Sequence, residues 1–201
     1  MEQLNPLEIP LFPLKTVLFP GGLLPLRVFE TRYMDMTRER LKSKQPFGIC
    51  LIREGKEVGA AAIPEAVGCL AEIISWDMEQ LGVLQLKTLG GARFRIREKH
   101  VDAHKLLHAK VDLLPAENRV ELPEQFDACA SLLQIIAADK SAQVFAEPHR
   151  FEDATWVGYR LTEVLPIPLT AKQKLLELDE PLLRLEILQR FLEQRGLLSR
   201  G

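Results

Sequence analysis

The spacing of apolar residues changes near the middle of the chain, and this change constrains the fold more than any other feature. Up to about Leu114, apolar residues alternate with polar ones or form short runs, as in 47–52, 67–74 and 83–89, which is typical of β-strands. Beyond Pro115 they recur every three or four positions, which is typical of amphipathic helices. The sequence therefore predicts an α+β protein with a β-rich first lobe and a helical second lobe.

One helix is expected inside the β-rich lobe, over Glu30 to Lys44, because apolar residues there recur at helical spacing. A further short strand is expected over 60–63. Two glycine pairs, Gly21-Gly22 and Gly90-Gly91, predict sharp turns between strands, since glycine tolerates backbone conformations that other residues avoid.

In the helical lobe, proline residues predict where helices begin and end. A first helix is expected to begin near Pro123, a second to end before Pro166, and a last one to begin near Pro181. Thr170 and Gln173 have the spacing of a reciprocal capping box, so a helix is expected to start there. Gly196 is expected to stop the last helix.

These patterns divide the chain into a β-rich lobe over 1–115, a polar hinge over 116–122 and a helical lobe over 123–201. The net charge of -2 gives no overall attraction to nucleic acid or to an anionic membrane. No apolar run is long enough to span a membrane. Cys50, Cys69 and Cys129 are widely spaced among apolar neighbours, which predicts three buried reduced thiols and a cytoplasmic location.

Several stretches match, in order, the signatures of a known family. They are Ile9–Leu14, Val17–Leu26, Val28–Tyr33, Gly68–Ile73, Gly91–Ile96 and Lys172–Leu176. Together they resemble the substrate-binding N-terminal domain of ATP-dependent Lon proteases, over nearly the whole chain.

The resemblance implies a PUA-like β lobe followed by a helical bundle, acting as a non-catalytic module that binds unfolded or specific polypeptide clients. No phosphate-binding G-x-x-x-x-G-K-[ST] loop occurs, so neither the AAA+ motor nor the serine-lysine protease of full-length Lon is expected, and no cofactor. Delivery of clients to a separate protease or chaperone stays open. So does the choice between a monomer and a weak homodimer.

Candidate polypeptide-binding residues surround the first glycine pair and the start of the first helix. They are Leu18, Phe19, Leu23, Leu24, Glu30, Arg32 and Tyr33. The apolar residues of this set could form an accessible groove. They could equally fill the core of the β lobe, and for most of them burial is the expected outcome, because large apolar side chains are usually buried.

Arg93, Arg95 and Arg97 alternate with apolar residues, so a regular strand would place the three guanidinium groups on one face. Such a face would suit phosphate or acidic peptides, and it provides an alternative function as a nucleic-acid-binding module. The other interpretation is a solvated sheet face kept soluble by charge, which the acidic net charge favours.

His100, His104 and His108 would line one face of a helix, with Asp102 nearby, and could then hold a metal ion. The flanking residues alternate as strands do, however. We therefore expect a strand, a loop and a strand that scatter the three rings, and no metal site.

Overall fold

The computed structural model describes residues 7–139 and 144–198, which form two compact units that divide between Ala116 and Glu117. The predicted α+β class is confirmed, with a first unit rich in β-strands and a helical second unit. The backbone of Leu122 and the side chain of Glu117 both bond to residues of the second unit. A hinge over 116–122 stays a prediction.

The described part of the first unit contains one helix and seven strands. Their bounds are β1 (Leu7–Leu14), β2 (Leu23–Val28), α1 (Thr31–Ser43), β3 (Phe47–Glu54), β4 (Ile63–Pro64), β5 (Val67–Gln80), β6 (Val83–Val101) and β7 (Leu107–Leu113). The order of pairing is β1-β7-β6-β5-β3, and β1 also pairs with β3, in parallel. These five strands therefore close into a barrel, which leaves few unpaired edges.

Two of the barrel strands continue beyond it as a long hairpin. The outer half of β5, residues 72–80, pairs with the first part of β6, and β2 pairs with the other side of β6 from Leu84 to Leu89. We call this three-stranded extension, made of β2, residues 72–80 and residues 83–89, the arm. The arm packs against α1, because Leu84 and Leu86 on β6 are buried in the same apolar cluster as Tyr33 on α1.

The first unit has two groups of buried apolar residues. One contains Ile9, Leu11, Leu70 and Phe94 from the barrel strands. The other joins α1 to the sheet, and in it the ring of Phe12 stacks on Tyr33 with 3.9 Å between centroids. Burial of these side chains is the main force that holds the helix on the sheet.

The second unit is helical, as expected. A single 3-10 turn at Glu124–Phe126 leads into α2 (Asp127–Ala138), followed by α3 (Ala154–Val164), α4 (Leu169–Glu177) and α5 (Pro181–Gln194). Pro181 occupies the first turn of α5, where a backbone N–H would have no hydrogen-bond partner within the helix, so the lack of an N–H in proline removes no helical bond. Gly196 has a positive φ of 68°, and its N–H donates to the carbonyl of Glu193, so the helix stops where the sequence indicated.

Three local predictions were wrong. Gly90-Gly91 is not a turn but lies inside β6: a Cβ on Gly90 would come within 2.0 Å of the carbonyl oxygen of Phe19, so close packing is what requires glycine there. Residues 60–62 are not a strand, and β4 is only the pair Ile63–Pro64. Thr170 does not cap α4, which begins at Leu169 with Pro168 as its N-cap and no side-chain cap.

The three cysteines are free and buried, as predicted. Burial raises the pKa of the Cys50 thiol far above its usual value and raises that of Cys129 to about 11, so both are neutral thiols rather than reactive thiolates. Within the described residues, no helix has the length and apolar character needed to cross a membrane.

Candidate functional site

The junction between β2 and α1 lies beside an open concave surface of the first unit. Glu30 is the N-cap of α1, and its carbonyl accepts the N–H groups of Tyr33 and Met34. Its carboxylate accepts a hydrogen bond from Arg32 at 3.0 Å and a longer one, 3.4 Å, from the N–H of Gly59. Glu30 therefore links the start of the helix to the loop that follows β3.

Arg32 extends the same linkage to a third segment. One guanidinium nitrogen donates to Glu30, and another donates to the carbonyl of Lys105 at 3.0 Å. The guanidinium carbon also lies 4.6 Å from the centre of the Tyr33 ring, a cation–π contact. The Arg32 side chain is only 6% exposed, so these interactions are well shielded from water. Arg32 therefore acts as a brace, meaning a side chain that holds the start of α1 and the turn at Lys105 together, rather than as a freely accessible cation.

The third segment is the turn between β6 and β7, which Asp102 holds in shape. One carboxylate oxygen accepts the N–H groups of His104 and Leu106, and the other lies 3.1 Å from Nε2 of His108. Desolvation raises the pKa of Asp102, but these hydrogen bonds outweigh it and hold the pKa below its ordinary value. Lys105 in this turn has a φ of 63°, which turns its carbonyl toward Arg32.

These three segments enclose an open groove with a volume of about 780 Å³. Its lining includes Phe29, Arg32, Ala60, Val101 and His104. Phe29 is 56% exposed and also lines a second, small cavity of about 60 Å³. An exposed aromatic ring beside fixed charges and backbone groups is the kind of anchor that protein interfaces use.

The structure places the candidate polypeptide-binding residues in different environments. Glu30 and Arg32 line the groove. Leu18, Phe19 and Tyr33 are almost completely buried in the first unit, as their interpretation as core residues expects. The core alternative therefore holds for these three. Leu23 and Leu24 are half-buried on β2, outside the lining of the groove.

Phe29, Val101 and Lys105 are among the groove residues that were not predicted from the sequence. Phe29 could have been identified from the sequence, because it follows another apolar residue and so interrupts the alternation of β2 immediately before the helix. The other two could not be found from the sequence, since only the pairing of β6 with β7 brings their turn beside Arg32.

The expectation that three arginines share one exposed face is corrected. Arg93 is only 3% exposed, and a β-bulge between Ile96 and Glu98 breaks the alternation before Arg97. Arg97 forms an ion pair with Asp112, which neutralises its charge locally. Arg95 is exposed. No continuous cationic stripe results on this described strand.

The histidine segment is a strand, a turn and a strand, as expected, but the rings are not all scattered. His100 and His108 face each other across β6 and β7, and their rings stack with 5.3 Å between centroids. His104 lies apart, in the turn. Among residues 7–139 and 144–198 there is no group of three or more His, Cys, Asp and Glu side chains arranged to hold a metal ion.

Comparison with known proteins defines the class to which this fold belongs. The family model described as "ATP-dependent protease La (LON) substrate-binding domain" matches residues 8–194. The chain belongs to this family. The solved structure of a Lon N-terminal domain protein from Xanthomonas campestris is similar at 33% identity and a TM-score of 0.76, with 92% of this chain and 98% of that chain covered.

More distant relatives agree with this assignment. The Lon protease of Anaeromyxobacter dehalogenans is 25% identical over 94% of this chain, and the protein cereblon of Danio rerio is 26% identical over 54% of it. The chain spans about a quarter of the length of these curated relatives. The N-terminal domain of a Mycobacterium avium complex Lon protease, at 16% identity, has the same fold with a TM-score of 0.61, covering 90% of this chain and 96% of that one.

Proposed function

We propose that this chain is a non-catalytic module that binds polypeptide clients, and that the groove beside Phe29 is where they bind. The family's description as a substrate-binding domain supports this proposal, as does the similarity to the Lon N-terminal domain protein of Xanthomonas campestris. The clients are unfolded or specific polypeptides, and a separate protease or chaperone is the proposed recipient. We place the module in the cytoplasm, as a monomer or weak homodimer.

The observation that carries the proposal is the exposed ring of Phe29 at the edge of a groove whose walls are held in place. Arg32 and Glu30 fix the relative positions of three chain segments, so the groove needs little rearrangement when a client enters. A preformed site loses less conformational entropy on binding. Phe29 and Val101 supply apolar contact, while Thr31 and His104 supply hydrogen-bonding groups at the rim.

The nucleic-acid alternative has less support. It needs a continuous cationic surface, whereas Arg93 is buried and Arg97 is paired with Asp112. Binding that depends mainly on phosphate contacts weakens steeply as salt rises, and binding through Phe29 does not. Salt dependence therefore separates the two functions.

Hydrogen exchange tests the proposal directly. The chain is compared with and without a reduced, alkylated polypeptide that cannot fold, at low and at moderate salt. We expect slower exchange over 29–33, 58–62 and 101–106, the segments around the groove, and we expect the protection to persist at moderate salt. Phe29→Ser is expected to weaken binding about tenfold, because an anchoring aromatic side chain is removed from the contact.

Arg38→Ala is the matched control, because Arg38 is exposed on α1, pairs with Asp35 and lies outside the lining of the groove. It is expected to leave binding unchanged. If several unrelated unfolded polypeptides protect no segment of the wild-type chain, the proposed function is wrong. If they bind equally well to the Phe29→Ser variant, the groove is not their site.

A further inference from the structure

The arm has a free sheet edge. Residues 72–80 of β5 pair with β6 on one side, and β3 stops pairing with β5 at Phe47, which lies opposite Ala71. No strand among the described residues pairs with the other side of this segment. Its outward N–H and C=O groups are therefore a template for an additional strand, except the N–H of Met78, which donates to the Asp77 carboxylate at 2.6 Å.

The side chains along this edge are unusually apolar for such an exposed segment. Ile74, Trp76 and Met78 are 48%, 55% and 40% exposed, and Leu81 at the tip is 94% exposed, although register shifts between Ile73 and Ser75 and between Asp77 and Gln80 interrupt the regular alternation of the strand. Contiguous exposed apolar side chains on a soluble domain commonly mark a binding surface.

The same segment is acidic. Glu72, Asp77 and Glu79 lie on it, and residues 72–80 contain no lysine or arginine. Lys87 on β6 lies opposite Ser75, and the Glu79 carboxylate accepts a hydrogen bond from the side chain of Gln85, so the segment keeps an excess of negative charge. A partner that pairs with this edge would therefore gain from carrying positive charge next to its apolar residues.

We propose that residues 72–80 bind an extended polypeptide segment that contains both apolar and basic residues, by adding it to the sheet as a further strand. The inference rests on the proposed function and specifies one class of client for a second surface of the same unit. Main-chain hydrogen bonds to the free edge provide affinity of low specificity. Trp76 and its apolar neighbours, together with the carboxylates, select segments that alternate apolar and basic residues.

A second copy of the chain fits this edge less well. Pairing two such edges would bring six carboxylates, three from each copy, into one short ladder, and like charges in neighbouring strands are destabilising. The acidic edge thus opposes self-association while it favours a basic client.

The test uses the full chain and three synthetic nine-residue peptides. The first alternates lysine and valine with a central phenylalanine, the second replaces lysine with glutamate, and the third repeats the first with N-methylated backbone at alternate positions, which blocks strand addition on one edge. Peptide affinity is measured by fluorescence anisotropy, and hydrogen exchange locates the bound segment. Wild type is compared with Trp76→Ser, with the double variant Glu72→Gln and Glu79→Gln, and with Arg38→Ala, an exposed position on α1 that lies outside both the groove lining and the arm.

We expect the lysine peptide to bind at least about tenfold more tightly than the other two and to protect 72–80. Trp76→Ser is expected to weaken it about tenfold and the double glutamine variant about fivefold, while Arg38→Ala leaves it unchanged. Equal affinity for the three peptides, or no effect of Trp76→Ser, would overturn the inference. So would dimerisation of the wild type that Trp76→Ser abolishes.

The two proposals fail in distinguishable ways. If unfolded polypeptides bind to the wild type and depend on Phe29 but not on Trp76, the function stands and the inference about the arm is wrong. If neither the unfolded polypeptides nor the lysine peptide binds to the wild type, both are wrong.

Discussion

Arg184 on α5 and Glu117, at the start of the second unit, form a bidentate ion pair with distances of 2.9 and 2.8 Å. Arg184 is completely buried, its guanidinium lies 4.1 Å from the centre of the Tyr159 ring, and it also donates to the carbonyls of Leu175 and Leu178. One side chain thereby joins the segment after Ala116 to three helices. Gly158 on α3 has no side chain, and the methylene groups of Arg184 occupy the space beside it.

The first prediction concerns this ion pair. Arg184→Ala is expected to lower the free energy of unfolding of the second unit by about 3–5 kcal/mol, because Glu117 would keep a buried charge without its principal partner. Urea denaturation, followed by the fluorescence of Trp156 in a Trp76→Phe background, measures the loss. Arg190→Ala, at an exposed position on the same helix, is the control and should change stability by less than about 0.5 kcal/mol. Equal effects of the two variants would contradict the prediction.

The second prediction concerns the brace below the groove. Arg32→Ala should lower the free energy of unfolding of the first unit by about 2 kcal/mol, because the carbonyl of Lys105 and the carboxylate of Glu30 lose a shielded donor. It should also speed hydrogen exchange in the turn between β6 and β7. Denaturation followed by Trp76 fluorescence in a Trp156→Phe background measures the first effect. Unchanged exchange in that turn would show that Arg32 does not hold it.

The third prediction separates two neighbouring glycines. Gly90→Ala should cost about 3 kcal/mol, because its Cβ would collide with the backbone of Phe19, which cannot move without shifting the core. Gly91→Ala should be nearly neutral, since its nearest neighbour would be the Cβ of Leu70 at an ordinary 3.5 Å. Thermal unfolding of both variants is the measurement. Similar losses would mean that backbone freedom, rather than close approach, requires both glycines.

The fourth prediction concerns pH. Burial raises the pKa of Glu163 to about 7 from its ordinary 4.5, although Arg160 donates to it and Lys172 is nearby. Between these two pH values the folded chain binds more protons than the unfolded chain, so the contribution of Glu163 to stability is complete below about pH 4.5 and is lost as the pH rises toward 7.

The measurement is urea denaturation of the wild type and of Glu163→Gln between about pH 4.5 and 8. Over this window the wild type should lose about 2 kcal/mol relative to the glutamine variant, below the roughly 3 kcal/mol of the full shift, because the Glu163 side chain is 19% exposed and water screens part of the effect. A difference between the two proteins that does not vary with pH would show that Glu163 titrates normally.

Much of the fold could be predicted because it depends on local patterns. The helix over 31–43 and the last helix were located within about a residue or two, since apolar spacing, Pro181 and Gly196 are local signals. Gly90-Gly91 was misinterpreted as a turn for the same reason: the sequence shows two flexible residues, but only the packing of Phe19 reveals why glycine is needed.

The candidate site was less predictable. Glu30 and Arg32 were identified through the family signature, and the structure places both at the groove. Tyr33 belongs to the same signature but faces the core. Successive side chains of α1 point about 100° apart, and Tyr33, the third residue of the helix, points inward. Local sequence thus predicted which segment matters, but not which of its side chains a client can reach.

The α+β class, most of the helix ends and the family could be inferred from the sequence alone, because periodicity, proline and glycine positions and ordered motifs are properties of neighbouring residues; the start of α4 was the exception. Only the tertiary structure decided that Arg32 braces three distant segments, that Arg93 is buried while Trp76 is exposed, and that His100 meets His108. The physical reason is that strand register, bulges and burial depend on contacts between residues far apart in the chain, and no local pattern encodes them.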